Sequence, residues 1–183
     1  MKKQYTVAPV IKNEKMTVTF EDLTSEGMGV AKVEGYPLFV ADGLPGERAT
    51  IKVTKVGKSF GFARIEERLS SSPDRIPTRD VKGTRVGTMP LQNLRYSAQL
   101  AFKKNNVEQV MKRIAKMPEV EVKPTIGMEN PWGHRNKAQI PVRQKDGKLV
   151  TGFFRTNTHE LIPMENFQIQ DPKIDEPSVE VRG

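Results

Sequence analysis

The chain has 183 residues and a formal net charge of +8, from thirty Lys and Arg against twenty-two Asp and Glu, and it has no cysteine. It can supply neither a thiolate nucleophile, nor a thiolate ligand to iron, nor a disulfide, and no apolar run approaches the roughly 18 residues that a membrane span needs. Hydrophobic content of 36% favours small domains with much exposed surface, and the basic excess points to a polyanionic partner, most often nucleic acid. That excess is uneven. Residues 76–150 hold fifteen basic and six acidic residues, whereas 1–75 hold twelve and ten, and 151–183 hold three and six. A positive field gathered in one stretch suits an interaction face. The opening MKKQYTVAPVIKN lacks the apolar segment of a secretory signal, and the lack of cysteine fits a cytoplasmic chain.

Residues 1–15 are polar and basic, with Pro9, and are expected to form a flexible arm. From Met16 short alternating runs begin, separated by turn residues: Thr17–Phe20, Gly29–Val33, Leu38–Val40, Ala49–Val56 and Phe60–Ile65. Five strands at this spacing predict a small closed barrel rather than an open sheet. Ser70–Pro73 reads as a linker. After it, Ser97 is placed to cap a helix running to about Lys116. Its apolar stripe is Leu100, Val107, Val110, Met111 and Ile114, and Pro118 ends it. Strand-like segments come next at Val120–Thr125, Lys137–Arg143, Leu149–Arg155 and His159–Met164, with Asp146-Gly147 as a hairpin signal between two of them. From Asp171 onward the chain has no apolar periodicity, so its acids Asp171, Asp175, Glu176 and Glu180 read as a solvated acidic tail.

Several stretches resemble one family. Glu26-Gly27-Met28-Gly29-Val30-Ala31, then Phe39-Val40, then Leu44-Pro45-Gly46-Glu47 resemble the TRAM domain, a small RNA-binding barrel. The segment from Pro90 through Lys103, PLQNLRYSAQLAFK, resembles the segment after the iron–sulfur loop in TRAM-containing RNA uracil-C5 methyltransferases. Pro124–Met128, Asn130–Ala138, Gly152–Arg155 and Thr158–Ile162 resemble that family's central domain. The blocks come in family order and span roughly residues 16–174. The subgroup most resembled methylates uracil in large-subunit ribosomal RNA. The resemblance implies S-adenosylmethionine as methyl donor, a cysteine that adds to C6 of uracil, and a base that removes the C5 proton.

The chain departs from that pattern at every cysteine. By the Pro90 anchor the paired cluster ligands fall on Val86 and Met89, or on Arg85 and Thr88 if one residue is inserted. The upstream ligand falls on Arg79 or Asp80 and the fourth on Phe167, so no iron–sulfur cluster is expected. No glycine-rich strand-to-helix turn with a following acidic residue is present, so no S-adenosylmethionine pocket is expected in this chain. Two histidines, His134 and His159, make a poor zinc site without a third ligand, and no metal is expected.

The expected fold is a β-rich α+β chain. Its parts are a five-stranded OB-like TRAM barrel over 16–75, a cluster-like loop without cysteines over 76–96, an amphipathic helix over 97–117, a partial α+β central RNA-binding domain over 118–170, and the tail over 171–183. Candidate RNA contacts on the barrel are Lys52, Lys55, Lys58, Phe60 and Arg64. Basic groups can track phosphates and an aromatic ring can stack an unpaired base. Phe60 and Phe62 could instead share a buried face. In the central domain the candidates are Trp132, His134, Arg135, Asn136, Lys137, Gln139, Arg155 and His159. No catalytic residue is expected, and the chain alone should not methylate. The expected partner is structured RNA, 23S ribosomal RNA in particular, with no DNA specificity and no membrane, and the chain is expected to be a monomer. The competing expectation is a stand-alone, non-catalytic RNA- or ribosome-binding accessory protein.

Overall fold

The computed structural model describes residues 7–156, 158–164 and 167–174. Residues 1–6 of the expected arm and Asp175, Glu176 and Glu180 of the tail lie outside the described residues. The chain forms two compact units. One comprises residues up to 77 together with 93–95, and the other comprises 78–92 and the residues from 96 onward.

In the first unit the alternating runs become six strands: β1 (Lys15–Thr19), β2 (Asp22–Leu23), β3 (Gly29–Val33), β4 (Tyr36–Val40), β5 (Arg48–Val56) and β6 (Gly61–Arg68). They lie in the order β1-β5-β6-β4-β3-β2, antiparallel except where β4 meets β6. The first and last strands of that order are separated by only Phe20 and Glu21, so one bent segment pairs with β5 at one edge and with β3 at the other. The sheet thereby closes on itself, which removes the long edges that another chain could extend. Counting β1 and β2 as one bent strand gives the five expected from sequence.

Alternation decides which side chains fill the barrel. Leu38 and Val40 on β4, and Ile51 and Val53 on β5, are fully enclosed, while their neighbours point outward. Each such aliphatic side chain contributes about 2 kcal/mol through burial. Gly61 is required where β6 crosses this core. A Cβ there would come within 2.8 Å of the Lys55 carbonyl and 2.9 Å of Leu38 Cδ2. Fully buried Tyr36 donates its hydroxyl to the Gly57 carbonyl at 2.9 Å and accepts from the Gly57 N–H at 3.1 Å. That doubly bonded hydroxyl pins the turn joining β5 to β6.

Two expectations about the flanks of the barrel are corrected. The residues before Met16 are not all a loose arm. Val10 is buried in the barrel core, and the Asn13 N–H and Glu14 carbonyl pair with Val53 beyond the end of β1. An apolar side chain in a basic stretch gains enough from burial to dock it. Nor is Ser70–Pro73 a free linker: the Ser70 hydroxyl accepts the Arg48 N–H, and the Ser72 N–H donates to Glu47.

Glu47 is wholly buried, and its carboxylate takes two hydrogen bonds from Arg75, at 2.5 and 2.8 Å. It also accepts the Leu44 N–H, the Ser72 N–H and the Arg68 guanidinium. Asp42 takes Arg68, Arg75 and the Asn93 amide at 2.9, 2.9 and 2.6 Å. Burial pushes both carboxyl pKa values up, but the Arg75 hydrogen bonds, with the other donors, outweigh it and hold both below their ordinary range.

In the second unit, α1 (Val81–Val86) is followed by Gly87 in the left-handed conformation, and α2 (Tyr96–Val110) runs into a π-helical turn over Met111–Ala115. Ser97 therefore lies inside the first turn of α2 rather than capping it. Lys116, at φ 60°, ends the helix before Pro118, as expected. The apolar stripe does not become a buried face: Val107, Val110 and Ile114 are exposed, Ile114 at 76%. Two hydrogen bonds tie the first turns of α2 to the segment that follows the helix. Thr125 bonds the Leu100 carbonyl, and the Tyr96 hydroxyl accepts the Met128 N–H.

Val120–Thr125 is irregular rather than a strand, because it pairs with no other segment among the described residues. The remaining strands form an antiparallel meander of β7 (Val142–Lys145), β8 (Lys148–Phe154) and β9 (Leu161–Pro163). The expected strand at Lys137–Arg143 therefore begins only at Val142. The Asp146-Gly147 turn has both residues at positive φ, 51° and 78°, as a two-residue hairpin requires.

Replacing Glu47 with Ala leaves Arg75 without its main partner and should cost on the order of 3 kcal/mol in urea unfolding. Because the folded pKa values of Asp42 and Glu47 are depressed, the unfolded chain binds more protons below about pH 4. Stability should be fully present above that pH and should fall as the pH drops through the lower folded values. Thermal melts from pH 6 to 2 should show this slope, and Glu47→Gln should flatten it.

Candidate functional site

The outer face of the barrel over β4, β5 and β6 carries the first group of candidates. Phe39 on β4 and Phe62 on β6 are register partners, and both side chains point away from the core that Leu38, Val40, Gly61 and Ala63 face. Phe60, in the turn held by Tyr36, is 40% exposed and joins them. The three rings form a closed triangle, with centroids 5.5 Å apart for Phe39–Phe60, 5.9 Å for Phe39–Phe62 and 5.7 Å for Phe60–Phe62. Phe60 and Phe62 thus do share a face, but it is the outer one rather than a buried one.

Lys55 is paired in register with Phe62, Lys52 with Arg64, and Lys58 lies in the exposed β5–β6 turn. A register shift between Val53 and Lys55 places both Thr54 and Lys55 at the surface. Among the described residues none of the three lysines has a carboxylate partner. Arg64 differs, since it pairs with Glu66 at 2.8 Å, and Glu66 also takes Lys15 at 3.3 Å. Its charge is largely offset locally. Sequence reasoning missed Phe39, which reads as one more alternating strand residue until β4 and β6 are seen to pair.

The second group falls on two stretches of the other unit. Trp132 has one ring face covered by the Arg79 guanidinium, 4.5 Å from the ring centroid, so it does not stand as an open platform. His134 Nδ1 lies 3.0 Å from the Pro131 carbonyl, and Arg135 donates to the Lys137 carbonyl while its backbone bridges to Gln170. Asn136, Lys137 and Gln139 are exposed beyond them. Arg155 and His159 sit in the β8–β9 connection. Arg155 pairs with Glu160 at 3.2 Å, and the His159 ring lies edge-on to Phe154 at 6.5 Å. Arg155 and His159 thus also shape their own turn. Arg143, not singled out from sequence, covers Phe154 at 5.5 Å.

The expected cluster-like loop is ordered as α1 and its flanks. Buried Gln92 closes it: its amide oxygen accepts the Asp80 N–H at 2.8 Å, and its amide nitrogen donates to the Asp80 carbonyl at 2.7 Å and to Thr84 Oγ1 at 2.8 Å. Met89 and Phe167, two positions where the resemblance places cluster ligands, are buried at 7% and 4%. They line one small pocket with Phe153 and Met164, and Phe153 meets Phe167 edge-to-face at 5.2 Å. These residues do not fit an iron–sulfur cluster. Apolar packing occupies two of its ligand positions, and the nearby buried oxygen Asp80 Oδ2 is no substitute for thiolates.

A closed barrel of this strand order is of OB-like type, and its outer face combines lysines with aromatic rings. Residues 9–65 match the family model of the TRAM domain, so the barrel is a TRAM domain. Over nearly its whole length the chain is similar to the front part of proteins described as RNA methyltransferases. It is 58% identical over 95% of its length to a protein of Enterococcus faecalis described as an uncharacterized RNA methyltransferase, and 49% identical over 95% to one of Lactiplantibacillus plantarum described in the same words. The chain spans 38% of the length of each of these relatives. It shares its fold, at a TM-score of 0.58 and 22% identity over 90% of the chain, with 35% of the Pyrococcus abyssi tRNA (uracil-54, C5)-methyltransferase, solved in complex with S-adenosyl-L-homocysteine.

Replacing Gln92 with Leu keeps the volume but strips the Asp80 N–H of its Gln92 partner and the Asp80 carbonyl of one donor, while the Thr84 N–H still reaches that carbonyl. Loss of one to two such bonds should cost about 1–3 kcal/mol. Amide exchange at Asp80 and through α1 should accelerate, while the barrel amides keep their protection.

Proposed function

We propose that this chain is the RNA-binding portion of an S-adenosylmethionine-dependent methyltransferase that acts at C5 of uracil in 23S ribosomal RNA, working as a monomer in the cytoplasm. The observation that carries the reading is the outer barrel face, where Lys52, Lys55 and Lys58 stand without carboxylate partners among the described residues, beside solvent-facing aromatic rings. Unpaired lysines attract phosphates, and rings accept bases. The curated relatives named as RNA methyltransferases, and the uracil C5 chemistry named for the structural neighbour, support the reaction class.

Division of labour follows from composition. A C6 addition needs a thiolate, and this chain has no cysteine. Methyl transfer therefore belongs to the length of the relatives that this chain does not span, where S-adenosylmethionine would supply the methyl group. What the chain itself contributes is grip and orientation. The barrel lysines hold the RNA backbone. Asn136, Lys137 and Gln139 offer further polar groups, and Trp132, His134, Arg135, Arg155 and His159 stiffen the stretches that carry such groups.

Filter binding to 23S ribosomal RNA fragments at 50 and 200 mM salt should show much weaker binding at the higher salt. Each Lys52→Ala, Lys55→Ala or Lys58→Ala change should lower the slope of log affinity against log salt by about 1. Binding that ignores salt, or no binding, would refute the proposal. With labelled S-adenosylmethionine the chain alone should transfer no methyl group, and turnover by it would overturn the assignment of catalysis elsewhere.

A further inference from the structure

We infer that Phe39, Phe60 and Phe62 form a stacking platform for unpaired nucleotides, so that this face of the barrel selects single-stranded over duplex RNA. The inference rests on the proposed RNA-binding function and narrows it to one class of RNA. Three observations carry it.

First, the triangle is outside the core. None of the three rings belongs to the buried cluster, and Phe60 remains 40% exposed although aromatic burial is favourable. Second, the rings are arranged to leave faces open. The pairs are inclined at 52°, 55° and 84°, so no two lie parallel. A parallel stack would consume one face of each partner, whereas a tilted or edge-to-face contact covers at most one face of the two. Third, the lysines that lack a carboxylate partner among the described residues lie on the β5 side of the triangle, whereas Lys32 on β3, across the sheet, is held by Glu21 at 2.6 Å. Lys52 and Lys55 follow β5 beside the triangle, and Lys58 sits two residues before Phe60 in the turn that Tyr36 fixes. A single strand lying along β5 would set its phosphates against the lysines and turn its bases onto the rings.

A duplex cannot use this arrangement, because its base faces are already stacked within the helix and only its phosphates and groove edges are on offer. It would meet the lysines and leave the rings unoccupied. The lysines thus serve both forms of RNA, and the phenylalanines distinguish them. Phe39 becomes a binding residue, since it touches both other rings and anchors the triangle on β4.

The test is a fluorescence-anisotropy titration of the full chain with an unstructured RNA of about ten nucleotides and with the same strand annealed to its complement. The unpaired strand should bind more tightly. Phe60→Ala, and separately Phe60→Leu, should weaken single-strand binding about five- to a hundredfold and leave duplex binding and its salt slope unchanged. Phe60→Trp should restore single-strand affinity. The Leu variant keeps apolar contact with Phe39 and Phe62, so a loss there reports the missing ring rather than a damaged barrel. If Phe60→Leu binds the single strand as wild type does, or weakens both RNAs equally, the platform is refuted while salt-sensitive RNA binding by the lysines still stands. If the wild type binds neither RNA, the proposed RNA-binding function falls and this inference falls with it.

Discussion

The Glu47 carboxylate is where the first unit is fastened. A wholly buried carboxylate is costly unless it is paired and its lone pairs are occupied. Here Arg75 supplies two hydrogen bonds, Arg68 a third, and the Leu44 and Ser72 amides two more. Those donors come from the turn before β5, from the end of β6 and from the chain beyond the barrel. Asp42 extends the same network to Asn93, fifty-one residues away. Closure of the barrel depends on this, because the segment after β6 must fold back over the turn that leads into β5. The Tyr36 hydroxyl plays the corresponding part at the other end of β5, holding the turn that presents Lys58 and Phe60. Core polar bonds thus set the position of the surface groups through which function is proposed.

The second unit solves a different problem. The resemblance to iron–sulfur methyltransferases places cluster ligands on residues that cannot supply a thiolate, yet the chain there is folded. The link that a cluster would make is replaced by two weaker devices. Gln92 pairs with both backbone groups of Asp80, much as a strand neighbour would, and Met89 and Phe167 are drawn together in an apolar contact region. Neutral hydrogen bonds and buried methyl and phenyl groups do not depend on iron or on redox state.

Part of this was legible from the order of residues and part was not. Alternation at Thr17–Phe20, Gly29–Val33 and Ala49–Val56 specified strands and their inward faces, because side-chain direction in a strand follows a period of two. Asp146-Gly147 specified a hairpin because few residue pairs accept two positive φ angles. The helical stripe of Leu100, Val107, Val110 and Ile114 misled in one respect. Periodicity correctly foretold a helix, but burial of its apolar side needs a partner surface, and periodicity carries no information about one. Val120–Thr125 misled for a similar reason, since strand-forming residues make a strand only where another edge offers hydrogen bonds.

By itself the sequence determined the kind of chemistry open to this protein. With no cysteine there is no thiolate, and with an excess of Lys and Arg there is a field for polyanions; both follow from composition and need no fold. It also determined most of the barrel, whose strands and turns are encoded within a few residues of themselves. Only the tertiary structure decided which charges are neutralised and which are available. Arg64 is held by Glu66 and Arg75 by Glu47, while half-buried Lys52 and exposed Lys55 and Lys58 have no carboxylate partner among the described residues. It alone brought Phe39 beside Phe60 and Phe62, because that contact requires the parallel pairing of β4 with β6, which β5 separates in the chain. Hydrogen bonds and ring contacts between residues more than twenty apart depend on how the sheet closes, and the local pattern does not contain that closure.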